Sequence, residues 1–272
     1  MIDIIKENNF EFKKKFGQNF IFDTNLLSAI VKDSGITKND IVLEIGVGAG
    51  TLTNEICKQA KFVYGYEIDK ELVPIITENV KQENFELVLA DFMKVENINI
   101  AQKTPNGFKV VANLPYYITT PIIFKLLEIP TLQSLSIMVQ KEVAQRIVAK
   151  AGTKDYGTIT AQIDAIASAS ISRIVSRKLF CPEPNVDSAI VRIDINKNKY
   201  NIDNYALLKK VIDCAFAMRR KTLSNNLKSS FNLNSEQINL LCENCNISPS
   251  VRGETLTTQQ FVLLSNELNK IM

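Results

Sequence analysis

A chain of 272 residues, 46% hydrophobic and 22% charged, carries enough apolar material for one large domain or a large and a small one. Its net charge of +3 is too small to argue nucleic-acid binding from the total, so only local clusters such as Lys13-Lys14-Lys15 and Arg219-Arg220-Lys221 bear on it. The absence of histidine excludes Ser-His-Asp and Cys-His catalysis and histidine-ligated metal sites.

The five cysteines are an odd number, and the N-terminus carries no apolar signal region, which points to a reducing cytoplasm. Cys242 and Cys245 form a lone C-x-x-C without the two further ligands a zinc site needs, so they are assigned to a helix face. No run of 18 apolar residues occurs, and no membrane span is expected.

Phe12 to Ile21 mixes lysines with phenylalanines, a combination suited to phosphate contact and stacking. On composition alone a solvated N-terminal arm is the better explanation. Asp23 or Thr24 then caps an amphipathic helix carrying Leu26, Leu27, Ile30 and Val31. Ile41–Ile45 has the pattern of a buried strand, and Gly46-Val47-Gly48-Ala49-Gly50 follows at once, before a helix over Thr51–Gln59. A glycine turn between a strand and a helix lets backbone N–H groups approach a ligand. The G-x-G-x-G spacing disfavours the dinucleotide G-x-G-x-x-G, and such a turn alone has many false positives.

A second strand, Phe62–Tyr66, ends at Glu67, about 20 residues past the first glycine, where an acid can accept from ribose hydroxyls. A bare helix-capping charge is the structural alternative. After a helix over Lys70–Val80, strand Phe85–Leu89 ends near Asp91, again an acid at a strand's carboxyl end, beside Phe92. The apolar run Val110–Ala112 stops abruptly at Asn113-Leu114-Pro115-Tyr116-Tyr117. The Asn113 carbonyl can accept from an exocyclic amine, Tyr116 can stack on a ring, and Pro115 adds stiffness without an N–H. Alone, these residues equally describe a strand followed by a proline turn.

Beyond them the pattern gives a helix at Ile122–Leu127, a strand at Leu135–Val139, and helices over Lys141–Lys150 and Thr158–Ala167. Strands over Ile171–Val175 and Ser188–Ile195 bracket a proline-stiffened loop that holds Phe180 in a set position, a core phenylalanine at a hairpin being the alternative. A polar linker at Asn196–Asn201 precedes four helical segments. The expected domains are therefore 1–197 and 198–272.

The ordered set of motifs resembles the ribosomal RNA adenine N6,N6-dimethyltransferase family of the small-subunit type. Phe16-Gly-Gln-Asn-Phe-Ile21, Leu43 to Gly50, Glu67-Ile-Asp69, Ala90-Asp91 and Asn113-Leu-Pro-Tyr116 carry the first half of the likeness. Gln140 to Ala144, Asp155-Tyr-Gly157, Phe180 with Pro182-Glu-Pro184, Val186 to Ala189 and Arg219 to Asn226 carry the second. The resemblance implies an α/β fold: a Rossmann-like class I S-adenosylmethionine-dependent methyltransferase sheet with a small all-helical C-terminal domain. It implies a cofactor site of Asn19, Ile21, Gly46, Glu67, Asp91 and Asn113, and a catalytic set of Asn113, Leu114, Pro115, Tyr116 and Phe180. Tyr116 and Phe180 are expected to sandwich the target base. No metal is expected, and the partner is ribosomal RNA in the immature small subunit, met by a monomer in the cytoplasm. Ile21 stands where Leu is usual, and Tyr117 where Asn is frequent.

Three other functions fit the motifs less well. A large-subunit, antibiotic-resistance methyltransferase shares the architecture, but Leu114, the Arg219–Asn226 stretch and the Phe180 loop favour the small-subunit type. A non-catalytic assembly or nucleic-acid-binding factor is disfavoured by the intact Gly46 loop, Glu67, Asp91 and Asn113. A DNA adenine methyltransferase usually has Pro at the position of Leu114.

Overall fold

The computed structural model describes residues 12–13 and 17–272; Lys14, Lys15 and Phe16 of the basic stretch lie outside the described residues. Contacts divide the chain into two compact units, one running to Ala144 and including Ser170–Asp194, the other made of Gln145–Ala169 and Ile195–Met272. A single cut at 197/198 is therefore not how the contacts fall. Residues 145–169 group with the C-terminal helices because they bond to them: Gly152 N donates to Glu254 O at 2.8 Å, and Gln162 Nε2 donates to Asp213 Oδ1 at 2.7 Å.

The first unit begins with β1 (Phe20–Ile21) and the helix Thr24–Asp33, whose N-cap is Asp23, its carboxylate accepting from Leu26 N at 2.9 Å. The strands β2 (Ile41–Ile45), β3 (Phe62–Glu67), β4 (Phe85–Leu89), β5 (Phe108–Asn113), β6 (Leu132–Gln140), β7 (Ala167–Val175) and β9 (Ser188–Ile195) form one sheet in the order β4-β3-β2-β5-β6-β9-β7. Neighbours from β4 through β6 are parallel, while β9 is antiparallel to β6. The run Ile41–Ile45 is apolar on both faces, apart from Glu44, because a central parallel strand is covered on both sides. The order reverses between β2 and β5, whose register pairs Leu43 with Val110. In open α/β sheets this reversal is where ligands bind, just past the strands' carboxyl ends.

The remaining strand, β8 (Phe180–Cys181), pairs antiparallel with β1, Ile21 opposite Phe180. Phe20 and Ile21, consecutive in β1, enter different apolar clusters, Phe20 with Leu72, Ile75 and Ile76, and Ile21 with Leu27, Ile56 and Phe180. Full burial of a side chain such as Ile56 contributes about 1.5–3 kcal/mol. Three features depart from the sequence expectation. The β1–β8 ribbon and the helix Asn97–Lys103 are additional, and the helix from Lys141 stops at Ile147.

In the second unit the helices Tyr205–Ala217, Leu223–Phe231, Ser235–Asn244 and Thr258–Asn269 are each capped by a side chain at Asn204, Thr222, Asn234 and Thr257. Asn234 and Thr257 complete capping boxes with Gln237 and Gln260. Cys242 and Cys245 are buried at the end of their helix. Among the described residues no helix is long and apolar enough to cross a membrane.

Candidate active site

The carboxyl ends of β2, β3, β4 and β5 open on one cavity lined by Gly46, Glu67, Asp91 and Asn113. The β1 segment adds Asn19 and Ile21, and the stretch after β5 adds Leu114, Pro115, Tyr116 and Tyr117. Of the residues expected from sequence, all but Phe180 meet here.

The glycine turn departs from β2 with Gly46 at φ 80° and Gly48 at φ 59°, left-handed values that a Cβ penalises. A Cβ on Gly46 would lie in ordinary contact, 3.7 Å from the Asn113 carbonyl oxygen and 3.9 Å from Pro115 Cδ, so the turn lies beside the end of β5 and it is the left-handed φ that calls for glycine. A Cβ on Gly48 would meet the Phe20 ring at 3.1 Å.

Glu67 is buried, and its carboxylate is already engaged. Oε2 accepts from Gly48 N at 2.9 Å, and Oε1 accepts from Ile68 N at 2.8 Å and Asp69 N at 2.9 Å. Burial pushes this carboxyl above its ordinary range, against the pull of the three N–H groups. A carboxylate has about four acceptor positions, so one is open to a ligand hydroxyl and a second requires sharing. Asp69, next along, accepts from Lys13 Nζ at 2.7 Å and Gln18 Nε2 at 2.9 Å. Burial opposes ionisation of Asp69, but Lys13, Glu71 N–H and Gln18 outweigh it and hold its carboxyl below the usual range. Lys13 also reaches Glu71 at 2.7 Å, so its ammonium fastens the N-terminal segment to the end of β3 instead of standing free for a phosphate.

On the other side, Asn113 Nδ2 donates to the Asn19 carbonyl at 2.9 Å, which leaves Oδ1 as the group Asn113 presents. Asn19 Nδ2 in turn donates to the Gly17 carbonyl at 3.1 Å. The Tyr116 hydroxyl bonds the buried Ser188 Oγ at 2.6 Å, which anchors its ring; burial raises its pKa, with Ser188 opposing. Tyr117 is 55% exposed and lies beside Gly17, where a Cβ would come 3.4 Å from its ring. Asp91 caps the turn Phe92–Lys94 through Oδ1, which accepts from Met93 N at 3.0 Å.

Phe180 is 5% exposed and packs with Ile21 and Leu27 rather than lining the cavity. The ring sandwich expected of Tyr116 and Phe180 is not formed in this structure, because β8 turns Phe180 into the apolar cluster behind Ile21. Residues that lie within the sequence motifs but were given no role from sequence are Glu44, Gln18, Ile68 and Asp69. Glu44 had a signal, being the one charge inside an apolar strand, while Gln18 and Asp69 are joined only by folding. In the second unit Arg220 and Lys221 are exposed, and the Arg219 guanidinium reaches Glu254 at 3.4 Å.

A reversing parallel sheet, a left-handed glycine turn and acids at the next two strand ends define a class I S-adenosylmethionine-dependent methyltransferase fold. The family described as ribosomal RNA adenine dimethylase matches residues 9–270, and the chain belongs to this family. It is 43% identical over 268 residues to Ribosomal RNA small subunit methyltransferase A of Clostridium acetobutylicum, covering 97% of this chain and 96% of that one. The protein of the same name in Caldanaerobacter subterraneus is 44% identical over 260 residues, with 94% and 97% covered. Among solved structures, a dimethyladenosine transferase from Plasmodium falciparum superposes with a TM-score of 0.77 at 26% identity, covering 92% of this chain and 98% of that one. The 23S rRNA methyltransferase ErmE gives 0.70 at 25% identity, with 92% and 100% covered.

The donor set fits an adenosine-bearing cation. Glu67 keeps an acceptor position, Asp91 Oδ2 has only the exposed Lys94 Nζ at 4.0 Å, and among the described residues no ion pair reaches the buried Glu44 at the same cavity. Among the described residues no cluster of His, Cys, Asp and Glu suits a metal ion.

Proposed function

We propose that the protein transfers methyl groups from S-adenosylmethionine to the N6 amines of two adjacent adenosines in small-subunit ribosomal RNA, giving N6,N6-dimethyladenosines during ribosome biogenesis. The observation that carries this is the abutment of Asn113–Tyr116, at the end of β5, on the Gly46 turn within one cavity. Full-length likeness to the small-subunit relatives favours this RNA over the large-subunit one. The same reading makes the protein a cytoplasmic monomer acting on the immature subunit.

When bound, S-adenosylmethionine supplies a methyl group already activated on a positive sulfur. Gly46, Glu67, Asp91, Asn19, Ile21 and Asn113 would hold it, Glu67 accepting from ribose and Asp91 from the adenine amine. The N6 amine of the target is a poor nucleophile because its lone pair is delocalised into the ring. Asn113 Oδ1 and the Leu114 carbonyl accept its hydrogens and free that lone pair for attack, while Tyr116, fixed by Ser188, stacks on the ring. Pro115 keeps the turn stiff and adds no donor. The methylated amine is strongly acidic and loses its proton to solvent, so no side chain needs to act as a base. Phe180 serves from behind, packing under Ile21 to hold the wall of the cavity.

The test is methyl transfer to purified unmethylated small and large ribosomal subunits, followed by digestion and identification of modified nucleosides. Dimethyladenosine in small-subunit RNA is the expected product. Label confined to the large subunit would overturn the proposal.

A further inference from the structure

The strand β2 is apolar except for one carboxylate. Glu44 is 1% exposed, stands two residues before Gly46 and lines the same cavity. Its Oε2 accepts from Thr53 Oγ1 at 2.6 Å, and among the described residues no ion pair reaches it. The ionisable groups that face it are Glu67, at the end of β3, and Cys57, on the helix Thr51–Gln59. Neither supplies positive charge: Glu67 is another acid, and burial together with Glu44 pushes the Cys57 thiol up to about 12. Burying a carboxylate without a cation or a set of N–H donors is costly, and the usual escape is protonation. Burial pushes Glu44 up to about 8, the Thr53 hydroxyl opposing and Glu67 adding to the rise. Glu67, barely more exposed, has three N–H donors; Glu44 has one hydroxyl.

We propose that Glu44 reads the charge of the ligand, releasing its proton when the cationic methyl donor binds and keeping it against the uncharged-sulfur product. The inference rests on the methyltransferase reading above. Its chemistry balances simply: the proton leaves the carboxyl oxygen for the solvent buffer, and no bond in the ligand changes. A cation within a few ångströms lowers a carboxyl pKa by about 1–3 units, enough to ionise a group that is neutral at pH 7 in the free protein. From about 1–3 units below pH 8 up to about pH 8 the free protein carries the proton and the donor complex does not, so within that window donor affinity rises about tenfold per pH unit, and it is flat on either side. S-adenosylhomocysteine, whose sulfur is neutral, lacks that dependence. Methyl transfer then leaves Glu44 as a buried anion facing a neutral sulfur, which weakens product binding until the acid takes up a proton.

The test is titration calorimetry of the full-length protein at pH 7, in two buffers of different ionisation heat, with S-adenosylmethionine and with S-adenosylhomocysteine. The expected result is release of about 0.4–0.9 of a proton with the donor and much less with the product. In Glu44→Gln the donor's release disappears and its affinity no longer changes between pH 6 and 8, while product affinity is unchanged. Thr53→Val, which removes the bond favouring the ionised form, moves the release window to higher pH. Equal release for both ligands in the unaltered protein overturns the inference without recourse to any variant. Release that persists in Glu44→Gln does so too, since the proton then comes from another group, Glu67 or the ligand's own ammonium. Failure of both ligands to bind at all overturns the methyltransferase reading instead.

Discussion

The two sides of the cavity are built differently. On the side of β2 and β3, Glu67 is held by three backbone N–H groups, and Asp69 is clamped by Lys13 and Gln18. On the side of β5, Asn113 uses only its amide nitrogen, on the Asn19 carbonyl, and Tyr117 is 55% exposed. The first side is organised before any ligand arrives, as suits a cofactor of fixed shape. The second keeps acceptors and a ring free, as suits an RNA base that enters, takes one methyl, and is presented again. Glu44 breaks the pattern on the first side, being buried there with a single hydrogen bond.

Removing the open acceptor tests that contrast most severely. Asn113→Ala is expected to lower kcat by about 10²–10³-fold, the scale of losing one group that stabilises developing charge. Its lost bond to Asn19 removes only about 1 kcal/mol of stability, so the thermal melt moves little while steady-state methylation of small subunits collapses. Near-normal turnover would mean that the amine is held elsewhere. Glu67→Gln addresses the organised side. Loss of a charged acceptor is worth about 1.5–3 kcal/mol, so the Kd for S-adenosylmethionine should rise at least about tenfold, with kcat at saturation nearly preserved. An unchanged Kd would remove Glu67 from the site. Tyr116→Phe gives the smallest effect, because it keeps the ring and deletes only the Ser188 bond, worth about 0.5–1.5 kcal/mol. A fall in kcat of about 100-fold or more would give the hydroxyl a chemical part beyond anchoring.

Much of this arrangement was legible because parallel strands are apolar runs that stop at a polar residue. Glu67, Asp91 and Asn113 each mark such a stop, and the glycine turn marks another, so the strand ends followed from local pattern, while the order of the strands in the sheet did not. The β1–β8 ribbon was not legible: two residues on each side carry no periodicity, and their partnership spans most of the first unit. The same blindness left Phe180 open, since a phenylalanine ahead of two prolines gives no sign of which way it faces, and the resemblance alone made it a stacking ring. The helix Asn97–Lys103 buries only Ile100 and its N-cap, Glu96, makes no side-chain cap bond, so its apolar stripe was too thin to detect. Lys13 looked like part of a basic arm because its acidic partners, Asp69 and Glu71, lie far along the chain.

The pairing of Ile21 with Phe180 also bears on the order in which the protein is made. Synthesis runs from the N-terminus, so the glycine turn, the acids and Asn113 all leave the ribosome before the strand that pairs with β1. Closing a contact across so many residues is entropically expensive and slow compared with the local helices. The cofactor wall is thus among the last parts of the first unit to be secured, together with the Tyr116–Ser188 bond. A nascent chain halted short of Phe180 carries every acid of the cofactor site and no partner strand for the segment that walls it.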